Sequence, residues 1–220
     1  MFTIAQVELP LRLLVLLLAM LAVCVAVYVM LTRAATSNRR WRELRQWAAA
    51  AGLPLHTARR AAAPEPLADL LKQPKPLVVI GQQRFFLAQI QSSAPPGSPT
   101  PTASARWHLL LRQIPYDWPA TGLRPVAHAS SVLDFLPLNS FPSLAPPQRF
   151  VVFGTQTAAA KLLAASQLRA LTPWNVGLLV RGQWLILDFS TRPFDSIEAQ
   201  RMTVLAQQLA ASLPPPPEST

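Results

Sequence analysis

Nineteen consecutive uncharged residues, Leu13 to Leu31 (LLVLLLAMLAVCVAVYVML), constrain this chain more than any other stretch. At about 1.5 Å per residue, a helix of that length spans roughly 28 Å, close to the hydrocarbon thickness of a bilayer. Within hydrocarbon only a helix satisfies its own backbone hydrogen bonds, so the run reads as one transmembrane helix. A cleaved signal peptide is the competing reading, and it requires a basic start, a shorter apolar run and a small-residue cleavage site. Here Glu8 and Arg12 cancel ahead of the run, the run is longer, and arginines follow it.

The formal charge of +10 invites a nucleic-acid reading, which the position of the charge answers. Residues 32–60 hold seven arginines (Arg33, Arg39, Arg40, Arg42, Arg45, Arg59, Arg60) against Glu43, so more than half of the excess directly follows the span. Lys and Arg accumulate in the cytoplasmic flank of a transmembrane helix. The asymmetry therefore predicts a single-pass protein of the inner membrane, with the short N-terminus outside and everything after Thr32 in the cytoplasm. What remains is too little for a nucleic-acid footprint, and no nucleic acid is expected as a partner.

Ligand chemistry is sparse. Cys24 is the one cysteine and lies inside the apolar run, which excludes a disulfide framework and a thiolate zinc site. His56, His108 and His128 are scattered, so neither a metal nor a cofactor is expected.

Beyond the span, NRRWRELRQWAAAA (38–51) has Trp41, Leu44, Trp47, Ala48 and Ala51 in one arc at 100° per residue and reads as a helix stopped by Gly52 and Pro54. Tryptophan beside arginine suits the headgroup layer, where the indole sits at the interface and the guanidinium meets phosphate. Arg33, Arg39, Arg40, Trp41, Arg42, Arg45 and Trp47 are thus candidate membrane-surface residues with the lipid bilayer as partner. Packing of both tryptophans on the soluble domain is the alternative.

Residues 55–66 read as a connector, and Pro66 can open a short helix that Pro74 ends. LVVIG (77–81) and RFFLAQIQ (84–91) look like a strand hairpin, and 92–104 like a flexible proline-rich loop. ARWHLLLRQI (105–114) reads as a third strand. Seven prolines between 115 and 147 predict only short extended pieces and turns there. RFVVFG (149–154) reads as a strand, followed by a helix capped by Thr155 or Thr157 and running to about Ala170. Residues 175–182 and 183–190 read as two strands around an Arg181, Gly182 turn. Asp195 and Glu198 have capping-box spacing, and Met202, Leu205, Leu209 and Leu213 line one face of a last helix that Pro214 ends. Strand, helix, hairpin, helix implies an α+β domain with a mostly antiparallel sheet packed with two or three helices. The organisation expected is a short N-terminal segment (1–12), the span (13–31), a basic juxtamembrane helix and connector (32–65), an α+β soluble domain (66–213) and a disordered tail (214–220).

Three patterns carry a trace of chemistry. VVFGTQTAAAK places one glycine before a helix start, but a phosphate cradle needs repeated glycines and a lysine directly after the last. His128, Ser130, Ser131 and Asp134 contain the residue types of a hydrolytic triad without nucleophile-elbow glycines, and read as loop residues. Asp188 could serve as a lone functional carboxylate, and Asp117 with Trp118 could line a pocket, though turn residues are the plainer reading.

The span, Trp41 with Ala48, Gly52 and Leu53, the RFVVFG strand with its helix, the strand pair and the final amphipathic helix together resemble bacterial single-span membrane proteins that carry a cytoplasmic α+β domain and have no established activity. That resemblance implies the fold and the membrane, and transfers no functional residue. The expected function is a membrane-anchored cytoplasmic interaction or accessory module with a protein partner. A membrane-bound enzyme acting on a lipid-derived or small substrate through Asp188 and His128 is the alternative.

Overall fold

The computed structural model describes residues 5–71, 74–92, 105–126, 131–135, 140–142, 150–164 and 171–217. Residues Met1–Leu44 form one unit and Arg45–Thr220 a second. Helix α1, Ala5–Ala50, runs through the span and the stretch expected to form a separate helix, with no break between them. Nothing in 32–37 (TRAATS) is a helix breaker, so the two helices expected from periodicity are one. Thr32 and Thr36 turn their hydroxyls back onto carbonyls of the preceding turn, the habit of threonine inside a helix. Across 16–31 every side chain is exposed, including Leu17, Leu21 and Met30. Among the described residues one helix is therefore long and apolar enough to cross a membrane, near the N-terminus.

The second unit is α+β. Its elements are β1 (Leu55–Thr57), α2 (Glu65–Leu70), β2 (Lys75–Gln82), β3 (Phe85–Ser92), β4 (Ala105–Pro125), a 3-10 turn (Val132–Phe135), β5 (Ser140–Pro142), β6 (Phe150–Phe153), α3 (Gln156–Leu163), α4 (Leu171–Trp174), β7 (Gly177–Asp188) and α5 (Ser196–Ser212). The seven strands make one sheet in the order β1-β2-β3-β4-β6-β5, with β7 also pairing β4. All pairings are antiparallel. The β2–β3 hairpin, the capped α3 and the amphipathic α5 stand where the sequence places them. Thr155 rather than Thr157 caps α3, its hydroxyl accepting from Ala158 N at 3.3 Å. Residues 165–170, expected to continue that helix, and the loop 93–104 lie outside the described residues.

Three expectations need correction. β1 lies inside the stretch read as a connector, pairing Leu55 with Ile80. Where proline density predicted short pieces, β4 continues to Pro125, because its prolines fall where the ladder is already irregular. Between the Gln113–Trp184 and Trp118–Gly182 pairs, four residues of β4 face one of β7, so Pro115 owes no ladder hydrogen bond. Pro119 sits in the next irregularity, between Trp118 and Thr121, and Pro125 is the terminal residue. The third correction is β7, one strand and not a hairpin. Its polar Arg181-Gly182-Gln183 insert is the outward-facing middle of a strand whose two ends are buried, and Gly182 takes φ +55° to follow the bulge in β4.

β4 is central, bonded to β3 and β7 along its first half and to β6 and β7 along its second. One face of the sheet presents Val79, Ala88, Ile90, Trp107, Leu109, Leu111 and Ile186 to Leu67, Leu70 and Leu71 of the α2 region and to Val132 and Leu133 of the 3-10 turn. Strand alternation puts Leu87, Leu110, Leu185 and Leu187, all buried, on the other. Helix α5 packs on β4 and β7, burying Met202, Leu205, Ala206 and Leu209. Burial of a Leu or Met side chain contributes roughly 1.5–3 kcal/mol, so this double-faced core is the main stabilising term.

Candidate functional site

The predicted membrane-surface residues divide between the units. Arg33, Arg39, Arg40, Trp41 and Arg42 belong to the first, Arg45 and Trp47 to the second. All five arginines are exposed. Arg39 pairs with Glu43 one turn on, at 2.8 Å and open to solvent. Solvent screens such a pair, and it leaves the cluster strongly positive. Trp47 is half-buried and Ala48 buried within the second unit.

Of the triad-like group, His128 and Ser130 lie outside the described residues. Ser131 is buried and does meet a carboxylate, that of Asp188, 57 positions away. Asp188 closes β7 with 1% exposure, and its Oδ2 accepts from Ser131 Oγ and from Val132 N, each at 2.8 Å. Oδ1 accepts from Ser190 N at 3.1 Å and from Ser190 Oγ at 2.5 Å. An ionised carboxylate offers about four acceptor positions, and four donors fill them. Ser131 Oγ also accepts from Leu133 N at 3.3 Å, and Asp134, the other acid of the group, accepts from Ser131 N at 2.9 Å. The group clasps the 3-10 turn to the end of β7, and Gly177 lets the backbones close. A Cβ at Gly177 would lie 3.2 Å from Ser131 Oγ and 3.4 Å from Asp188 Cβ.

His108 extends the network without entering it as a base. Its backbone N–H donates to Ser190 Oγ at 3.0 Å. With the Nδ1–H tautomer, the ring donates to Arg192 O at 2.8 Å, and Nε2 accepts from the Gln89 amide at 3.1 Å. Burial lowers its pKa below the ordinary 6.5, outweighing the backbone hydrogen bond and the attraction of Asp188. A neutral imidazole with both nitrogens engaged, between the rings of Phe189 and Phe194, is held as a core element.

A second polar cluster joins α4 to α5. Asp195 caps α5, accepting from Glu198 N at 2.9 Å. Glu198 does not complete the capping box. Its carboxylate turns to Arg192, which grips both oxygens, and to Arg201 Nη1 at 2.8 Å. The hydrogen bond from Arg192 holds the Glu198 carboxyl below its usual range against the opposing effect of burial, with Arg201 adding to it. Both guanidiniums lie over the Trp174 ring, at 4.9 and 5.7 Å from its centroid. Sequence reasoning passed over Arg192 and Trp174 and took His108 as a scattered histidine, because their partners lie 6 to 84 positions away and no local spacing announces them.

Among the described residues no three His, Cys, Asp or Glu side chains gather as metal ligands. Asp117 is exposed and Trp118 buried at the β4 bulge.

No protein-family model and no curated protein matches the chain. Among solved structures, the mycobacterial trehalose monomycolate transport factor A, TtfA, is similar with a TM-score of 0.48 and 12% identity, over 80% of this chain and 97% of that one. At that score the likeness bears on neither activity nor partner.

Proposed function

We propose that the chain is a single-pass inner-membrane protein of bacterial type, whose cytoplasmic α+β domain is an accessory module that binds another protein. The observation that carries the anchor is the run of exposed apolar side chains over 16–31, followed by five exposed arginines. In this reading 13–31 lies in hydrocarbon and Arg33 meets anionic headgroups at its cytoplasmic end, while the unbroken continuation of α1 carries Arg39, Arg40, Arg42 and Arg45, with Trp41 and Trp47, on the cytoplasmic side. The soluble domain follows, with 214–220 as its tail. Interaction is favoured over catalysis because Asp188, the carboxylate best placed by sequence for chemistry, has its acceptor positions filled by structural donors.

Two measurements test this. A reporter fused after Thr220 should be active when it requires the cytoplasm and silent when it requires the periplasm; the reverse pattern rules out the orientation. Formaldehyde crosslinking in native membranes should give a discrete adduct with another protein, and recovery of the chain alone counts against an accessory role.

A further inference from the structure

The helix α5 face that turns away from the sheet is not a plain solvated surface. Ile197 is 58% exposed and Val204 47% exposed, two turns apart on one line, and with Trp174, Gln200, Arg201, Leu205 and Gln208 they border a groove of about 510 Å³. From Ile197 to Gln208 it runs for roughly 16 Å at 1.5 Å per residue, the length of three helical turns. Apolar walls this open would leave a small molecule half in water, whereas small-ligand sites bury most of their ligand. A peptide segment laying one apolar face into the groove matches the geometry.

Charge specifies the segment further. Glu198 is shared by Arg192 and Arg201, and Asp195 beside them brings the cluster to formal neutrality, so the charge that reaches the groove is that of Arg201, the one charged side chain among the described residues that border it. Arg192 is turned inward, its Nη1 reaching Trp174 O at 3.4 Å. Arg201 is half exposed and commits one N–H, that of Nη1, to Glu198. Its remaining N–H groups are uncommitted on a side chain that borders the groove, and a guanidinium fork can take a carboxylate bidentately. Trp174 beneath the guanidinium and Glu198 beside it fix the fork before any partner arrives, and Trp and Arg are the residues that dominate binding energy at interfaces.

We propose that the α4–α5 groove is the docking site of a partner protein's segment that carries an Asp or Glu within an apolar run, the acid engaging Arg201 and the apolar side chains seated on Ile197, Val204 and Trp174. The proposal rests on reading the second unit as an interaction module and names the surface that performs it.

The test uses full-length protein in native membranes with the photocrosslinker benzoylphenylalanine at position 204, and at the exposed Gln82 as a control. The expected result is a protein adduct at 204 whose crosslinked peptide, sequenced by mass spectrometry, holds an acidic residue among apolar ones. Arg201→Gln should cut the adduct about tenfold, the loss of one charge-assisted contact, while Arg201→Lys retains part of it. Ile197→Ser, which removes no charged side chain, should reduce it as well, separating docking from any folding defect of the Arg201 variants. An adduct to lipid, to a second copy of this chain, or to a peptide without an acid overturns the proposal, as does an adduct indifferent to Arg201→Gln. A protein adduct at 82 and none at 204 overturns the groove while sparing the accessory role, and absence of any protein adduct at either position counts against both.

Discussion

Replacing Asp188 by alanine tests whether its network is architecture or chemistry. The substitution strands Val132 N–H and Ser190 N–H, which cannot turn away, and two serine hydroxyls, which can. Each buried donor left without an acceptor costs about 1–3 kcal/mol, and since Val132 N–H and Ser131 Oγ are buried while the Ser190 donors are part-buried and reach water more easily, the expected loss is about 2–4 kcal/mol. Against a domain stability of about 5–15 kcal/mol that is a large share. Asp188→Asn keeps one oxygen and sets an NH2 against a donor, for a loss of about 1–3 kcal/mol, and Ser131→Ala removes one neutral donor for about 1 kcal/mol. Urea unfolding of the full-length protein in detergent, followed by tryptophan fluorescence, measures all three. A shift in midpoint at constant slope identifies a loss of stability. A carboxylate kept for reaction behaves differently, since removing a functional group commonly leaves stability unchanged or raises it. Loss below about 1 kcal/mol in Asp188→Ala would refute the structural assignment and restore the carboxylate as a candidate for chemistry.

Two further predictions follow from the same surfaces. His108 has a folded pKa below its ordinary 6.5, so as pH falls through that value the unfolded chain takes a proton that the folded one refuses, and stability drops. Glu198, depressed below the ordinary carboxyl value, adds a second loss at lower pH as its folded pKa is crossed. Melting temperature against pH should therefore fall in two steps on the acid side, His108→Gln removing the upper and Glu198→Gln the lower; an unchanged profile in both variants contradicts the assignment. In the anchor, Leu21→Arg places a charge near the middle of the span at an insertion cost of roughly 2.5–3.5 kcal/mol, and carbonate extraction of membranes should release a larger fraction of the variant than of the parent. Equal retention would show that 13–31 does not lie in hydrocarbon.

The elements legible in the sequence are those whose cause is local. Asp195 three residues before Glu198 announces a helix start, and Met202, Leu205 and Leu209 announce the face that helix buries. Alternation and flanking polar residues mark β2, β3 and the start of β4. What failed was punctuation. Pro115 and the Arg181-Gly182-Gln183 insert read as chain breaks, yet each breaks only its own strand's pattern. Paired across the sheet, the four-residue excess in β4 and the φ +55° of Gly182 accommodate one another, and both strands continue. No window of one strand contains that fact, because it is a property of the pair.

The same logic governs the polar residues, and it bears on how function is sought in a chain like this. Asp188 looks like a lone acid and Ser131 like a loop serine so long as each is read among its neighbours. Folding brings them together at 2.8 Å and in doing so consumes them, with Val132 N–H and Ser190 filling the remaining lone pairs. Arg201 runs the other way. It has an ordinary acid partner at i,i+3 and looks spent, yet the fold hands Glu198 to Arg192 as well and leaves most of the Arg201 fork without an acceptor. Residue type alone ranks the buried aspartate above the surface arginine. Counting donors against acceptors in the folded protein reverses the order, and directs the search for a partner to the outer face of α5.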